Sequence, residues 1–154
     1  MSKQAIPGPE STAGREFVHS RLIDAPRERV FRAFAEPEHL AKWWGPNGFT
    51  STFHAFEFRP GGHWRFALHG PNGTDHPNES VFVAVVPTER VVFKHVSRPQ
   101  FEMTISFAEH EGTTQVGWRQ LFNSAFERDQ IAKFALEANE QNLDRLEALL
   151  AQGD

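Results

Sequence analysis

Residues 24–62 read DAPRERVFRAFAEPEHLAKWWGPNGFTSTFHAFEFRPGG, and the punctuation of this stretch decides the fold. Asp24 is placed to cap a helix that begins near Pro26, because proline at the first helical position gives up only an amide that has no partner. Val30, Phe31 and Phe34 then recur at helical spacing and make one face apolar. Pro37 stops that helix and opens a second, which carries Leu40, Trp43 and Trp44 and ends at Gly45-Pro46. A run of strand-forming residues follows, from Phe49 to Phe58, closed by the turn Pro60-Gly61-Gly62. Two short, broken helices therefore deliver a tryptophan pair to the start of a sheet.

Upstream, residues 1–14 hold Pro, Gly, Ser and Thr without apolar periodicity, the pattern of a flexible tail. Residues 15–151 read as one domain. Arg15–Ile23 alternates as a first strand, and His63–His69 pairs with the Phe49–Arg59 strand in a hairpin, with Trp64, Phe66 and Leu68 on one side. Gly70–Asn78 reads as a loop. The strands Ser80–Val86, Val91–Val96, Phe101–Phe107 and Thr113–Phe122 follow, separated by turns at Pro87-Thr88-Glu89 and Glu111-Gly112. Asn123–Asp129 leads into a long helix ending near Ala151-Gln152-Gly153. The architecture expected is α+β: a curved seven-stranded antiparallel sheet wrapped around a C-terminal helix, with two short helices after the first strand. One helix over so wide a sheet leaves room for a cavity near the tryptophan pair.

Composition removes several function classes. The 154 residues carry a net charge of -4 with scattered Lys and Arg, which argues against nucleic acid as a partner. There is no cysteine, hence no disulfide, thiolate metal site or cysteine nucleophile. Fifteen Phe and four Trp against no Tyr supply aromatic bulk almost without hydroxyls, which suits a broad apolar interior. No apolar run is long enough for a membrane span and no signal-peptide core is visible, so a cytoplasmic location is expected.

The segments APxxVFxAF…PxxLxxWWGP (Ala25–Pro46), FRPGG (Phe58–Gly62) with Trp64 and Phe66 after it, PTERVVF (Pro87–Phe93) and LDRLEALL (Leu143–Leu150) resemble the Hsp-90 ATPase activator homologue family. This is a branch of the START-like, Bet v 1-like helix-grip superfamily. The resemblance implies a helix-grip fold around a hydrophobic cavity, and with it a small hydrophobic or lipid-like ligand, a stress-related role or a partner of the Hsp-90 class. It also implies a homodimer. Many members carry Gly-Trp early in the last helix where this chain has Ala138-Asn139, which alters the cavity wall.

The candidate ligand-binding residues are Trp43, Trp44, Phe56, Phe66, Trp118, Phe134, Ala138 and Asn142. On a continuous helix Trp43 and Trp44 diverge by about 100°. One is then expected in the core and the other either under the Gly45–Gly48 loop or at a cavity mouth. Along the last helix, Ile131, Phe134, Ala135, Ala138, Leu146 and Leu149 form one arc with Asn142 near its middle and Asn139 toward its edge. The Asn142 amide there requires partners, either in the sheet or in a wet cavity. Glu57 and Arg59 share a strand face and read as a surface ion pair bracing the turn. Six histidines between His54 and His110 lack metal-ligand spacing and read as solvated strand residues; no metal or cofactor motif is found. No catalytic motif is present either. Three functions remain: non-enzymatic binding of a small apolar molecule first, stimulation of an Hsp-90-type ATPase second, and a cyclase- or dehydratase-like activity third. The last requires a buried acid or base, Glu79 or His95 being the candidates.

Overall fold

The computed structural model describes residues 12–152. After a 3-10 turn at Ala13–Arg15 the chain runs β1 (Glu16–Ile23), α1 (Arg27–Ala35), α2 (Pro37–Trp43), β2 (Thr50–Phe56), β3 (His63–His69), β4 (Asp75–Val86), β5 (Arg90–His95), β6 (Phe101–His110), β7 (Thr113–Phe122) and α3 (Ala125–Ala151). The strands form one antiparallel sheet of seven in the order β1-β7-β6-β5-β4-β3-β2. The expected helix-grip architecture is present. Most of the expected tail, residues 1–11, lies outside the described residues; its last residues enter the 3-10 turn. No helix among the described residues is long and apolar enough to cross a membrane.

Several local expectations are corrected. Pro26 is itself the cap residue of α1, in extended conformation, and no side chain caps the helix, so Asp24 does not have that role. β4 begins at Asp75, five residues earlier than its β-formers suggest, because Asp75–Asn78 pair in register with Phe66–His69. A polar sequence can hold a strand when the neighbouring strand offers its ladder. Asn123–Asp129 is not wholly a lead-in: Ser124 caps α3 by accepting from the Glu127 amide at 3.1 Å, so the helix starts at Ala125.

The turn between β2 and β3 is stitched to β4. Gly61 N donates to Phe82 O at 2.8 Å and Phe82 N to Gly62 O at 2.9 Å. Glu57 Oε1 accepts from His63 N at 2.9 Å, and the exposed Glu57–Arg59 ion pair, 4.0 Å apart, braces the same corner, but both residues lie past the end of β2 and not on a shared strand face. The His63 amide, with Arg59 as a lesser cause, holds the Glu57 carboxyl below the usual carboxylate range.

α3 crosses the concave face with Ala135, Asn139, Asn142, Leu143, Leu146 and Leu150 buried. The expected arc is thus rotated: Phe134 is 58% exposed, Asn139 moves from the edge to the interior, and Leu149 is only partly buried. On the other flank, Arg21 of β1 meets Glu140, Asp144 and Glu147, each at 2.9 Å, and fixes the helix azimuth. A Cβ on Gly62 would collide with the Glu57 carbonyl oxygen. Gly62→Ala is therefore expected to destabilise the chain by about 1–3 kcal/mol. A lowered urea midpoint in equilibrium unfolding checks it, and an unchanged midpoint would show that the corner yields.

Candidate functional site

The site is built around the corner Trp43-Trp44-Gly45-Pro46. α2 ends at Trp43; Trp44 already has an extended backbone, φ -71 and ψ 127, and Gly45 turns with φ +112. Because the helix stops between the two tryptophans, both indoles enter the core, at 1% and 8% exposure. The divergence expected from continuous helical geometry does not apply. Trp43 Nε1 donates to Ala33 O at 3.0 Å, and Trp44 stacks on Trp118 with ring centroids 5.6 Å apart and planes 29° apart.

The corner's open backbone groups are closed by α3. Asn142 Nδ2 donates to Trp43 O and Asn142 Oδ1 accepts from Gly45 N, both at 3.2 Å. Arg145 Nη1 donates to Gly45 O at 2.8 Å and Pro46 O at 2.9 Å, and Nη2 to Lys42 O at 3.1 Å. Burial lowers the pKa of this guanidinium, whose bonds here go to carbonyl oxygens.

Beneath the corner and α3 lies a cavity of about 160 Å³. Trp44, Phe66, Phe93, Met103 and Trp118 give it apolar walls, while Pro46, Phe134 and Ala138 stand at its rim. Six of the eight candidate residues line it: Trp44, Phe66, Trp118, Phe134, Ala138 and Asn142. Trp43 and Phe56 do not. Trp43 packs edge-on against Phe34, and Phe56, beyond the irregularity between Phe53 and Ala55, packs among Phe58, Trp64 and Phe82. A larger groove of about 410 Å³ is lined by Arg29, Arg32, His39 and Lys42 beside the end of α3; it holds none of the candidates and no aromatic wall.

Of the cavity's polar wall, sequence reasoning missed Asn78, Ser80 and Gln120, offered His95 only as a buried acid or base, and set Asn139 at the edge of the helical arc. The available signal was phase, since Gln120 sits between Trp118 and Phe122, and His95 follows Val91 and Phe93, on the buried side of their strands. Asn139 Oδ1 accepts from Trp118 Nε1 at 3.2 Å, and its Nδ2 donates to Gln120 Oε1 at 3.0 Å. His95 is not a solvated strand histidine. It is 6% exposed, stacked on Phe101 at 4.7 Å, with Nδ1 2.6 Å from Pro99 O and Nε2 2.6 Å from Asn78 Oδ1. Oxygen at both nitrogens favours the protonated ring, but burial is the larger effect and pushes the pKa below the ordinary histidine range. Glu79, the other acid–base candidate, is partly exposed and pairs with His63 at 3.5 Å. His69 likewise meets Asp75, at 2.7 Å. No group of three or more potential metal ligands occurs among the described residues.

A family model described as "Activator of Hsp90 ATPase homolog 1-like protein" matches residues 24–151. The chain belongs to that family. Solved structures share its fold: a protein from Nitrosomonas europaea has a TM-score of 0.84 at 23% identity, covering 91% of this chain and 96% of that one. A protein from Arthrobacter aurescens has a TM-score of 0.85 at 21% identity, over 93% and 90%. A Silicibacter pomeroyi protein named for the same family has a TM-score of 0.75 at 17% identity, over 90% and 99%. No curated protein matches the chain at a significant level.

In this Hsp90-activator-like domain, a histidine held neutral in the fold must charge on acidification. Its folded pKa lies below the unfolded value of about 6.5, so the unfolded state takes up the proton first and stability falls as pH drops below that value. His95→Gln is expected to flatten the decline in melting temperature between about pH 7 and pH 5. The loss from Glu57 and Glu140, whose carboxyl pKa values are lowered, comes at more acid pH and remains in the variant. Parallel melting curves for the two proteins over this range would remove His95 as the cause.

Proposed function

We propose that this domain binds a small, mostly apolar molecule in the cavity beneath α3, without chemical conversion. The observation that carries the reading is the cavity itself: about 160 Å³ with aromatic walls, a few polar groups and no Lys, Arg, Asp or Glu in its lining. Ligand sites have this composition: an apolar body for affinity and a few placed polar groups for orientation. Ala135 and Ala138 supply the room under the helix, and the rim between Pro46 and Phe134 supplies the way in. The family's name points to a chaperone partner, which stimulation of an Hsp90-type ATPase by the purified domain tests directly.

One observation favours a second reading, acid–base catalysis. His95 is a buried titratable group in the cavity wall with a shifted pKa, which that chemistry requires. Binding ranks ahead because both ring nitrogens already face oxygen partners and no second titratable residue lines the cavity to complete an acid–base pair.

The test is native mass spectrometry of freshly purified protein, with organic extraction of what is released on unfolding. A small apolar adduct is expected. Ala138→Phe, which fills the rim, is expected to abolish it while leaving the circular dichroism spectrum unchanged. Undiminished adduct in that variant would place the ligand elsewhere and defeat the proposal.

A further inference from the structure

Most polar groups in the cavity wall are committed. Asn142 holds the Trp43-Gly45 corner, Asn139 joins Trp118 to Gln120, and His95 lies between Pro99 and Asn78. Ser80 is the one whose polar side chain has no partner at all. It is 0% exposed, lies on β4 directly opposite His95 of β5 and Trp64 of β3, and its Oγ has no hydrogen-bond partner. The Trp64 indole N–H beside it in the ladder also lacks an acceptor. An unpartnered buried hydroxyl is unfavourable, and so is a stranded indole donor. Of the two, Ser80 lines the cavity and Trp64 does not, so the open group in the wall is the hydroxyl, whose proton lacks an acceptor.

Resting on the reading of the cavity as a binding site, we infer that Ser80 Oγ is the polar anchor of the ligand, an uncharged molecule the size of one substituted aromatic ring carrying a carbonyl oxygen. Size sets the ring: a cavity of about 150 Å³ takes up benzene, and this one is about 160 Å³. A fatty acyl chain would leave much of its length outside the rim, which narrows the hydrophobic or lipid-like class. Charge sets the neutrality, because no Lys or Arg lines the cavity to pair with a carboxylate, and an unpaired buried charge is strongly disfavoured. Trp44, Trp118, Phe93 and Met103 line the space that the ring would take. A second open donor, Gln120 Nε2, lies on β7, three strands from Ser80, because only Oε1 of that amide is engaged.

The probes are acetophenone, ethylbenzene, benzoate and decanoate, titrated while the four indole N–H signals are followed by NMR. Acetophenone is expected to bind about five- to tenfold more tightly than ethylbenzene, the worth of one hydrogen bond, with the two acids weaker than both. Ser80→Ala is expected to bring acetophenone down to ethylbenzene and to leave the melting temperature unchanged or higher, since the hydroxyl it removes has no partner. Equal binding of acetophenone and ethylbenzene by the unaltered protein overturns the anchor while leaving the cavity a binding site. A preference that survives Ser80→Ala, with Gln120 as its source or not, overturns it too, as does tighter binding of benzoate or decanoate. Failure of all four probes to shift any indole signal defeats the binding-site reading itself and takes the anchor with it.

Discussion

A helix that ends inside a protein leaves carbonyls, and the amide that follows them, with no water to turn to. α2 ends in this way, at the tryptophan pair, and the Asn142 side chain supplies both missing partners from the opposite element. An amide is suited to this, since it carries a donor and an acceptor on one rigid plane. Arg145, one helical turn further, takes three more carbonyls of the same corner. The corner and α3 are therefore one unit. The position of Trp44 against Trp118, and hence the cavity wall, follows from it.

The aromatic residues are unevenly used. At the end of the sheet near α1, Phe34, Phe58, Trp64 and Phe82 close the interior to a void of about 10 Å³. At the other end, with Ala135 and Ala138 on the helix, about 160 Å³ stays open. Core packing is normally dense enough that a void of this size is unfavourable. Here the density is high at one end only, and the inward positions at the open end hold Ser80, His95 and Gln120 in place of larger apolar side chains. The two ends of one sheet thus have different tasks, one holding the fold together and the other leaving space in it.

The sheet and its helix were legible because their signals are periodic: alternation in Phe101–Phe107 and Thr113–Phe122, and the long helical run before Ala151. The candidate site was legible where it is aromatic. Trp44, Phe66 and Trp118 were found by size and phase, and Ala138 by its small size in the helical arc. What was not legible depended on partners far away in sequence. The turn of the backbone between Trp43 and Trp44 is stabilised from Asn142 and Arg145, about a hundred residues on, so local helical geometry sent the two rings apart. Asn139 looked peripheral because a polar residue lowers the apolar count of its face, yet its amide is buried by bonding Trp118 and Gln120. Asp75–Asn78 looked like loop because β-propensity does not see the neighbouring strand. Phe134 shows the converse, an apolar residue that stands at the rim because the Arg21 cluster fixes the rotation of α3.

The residues at the open end share a physical property beyond their position. The Ser80 hydroxyl lacks a partner, and His95 is kept from its charged form by burial; each makes the fold less stable than an apolar residue of similar volume would. Ser80 and His95 lie in register with each other on adjacent strands and line the same space. Local conflict between stability and composition tends to mark functional positions. That coincidence, a void and the polar residues around it at one end of the grip, is what supports the proposal that the cavity, more than the cationic groove, is the binding site of this domain.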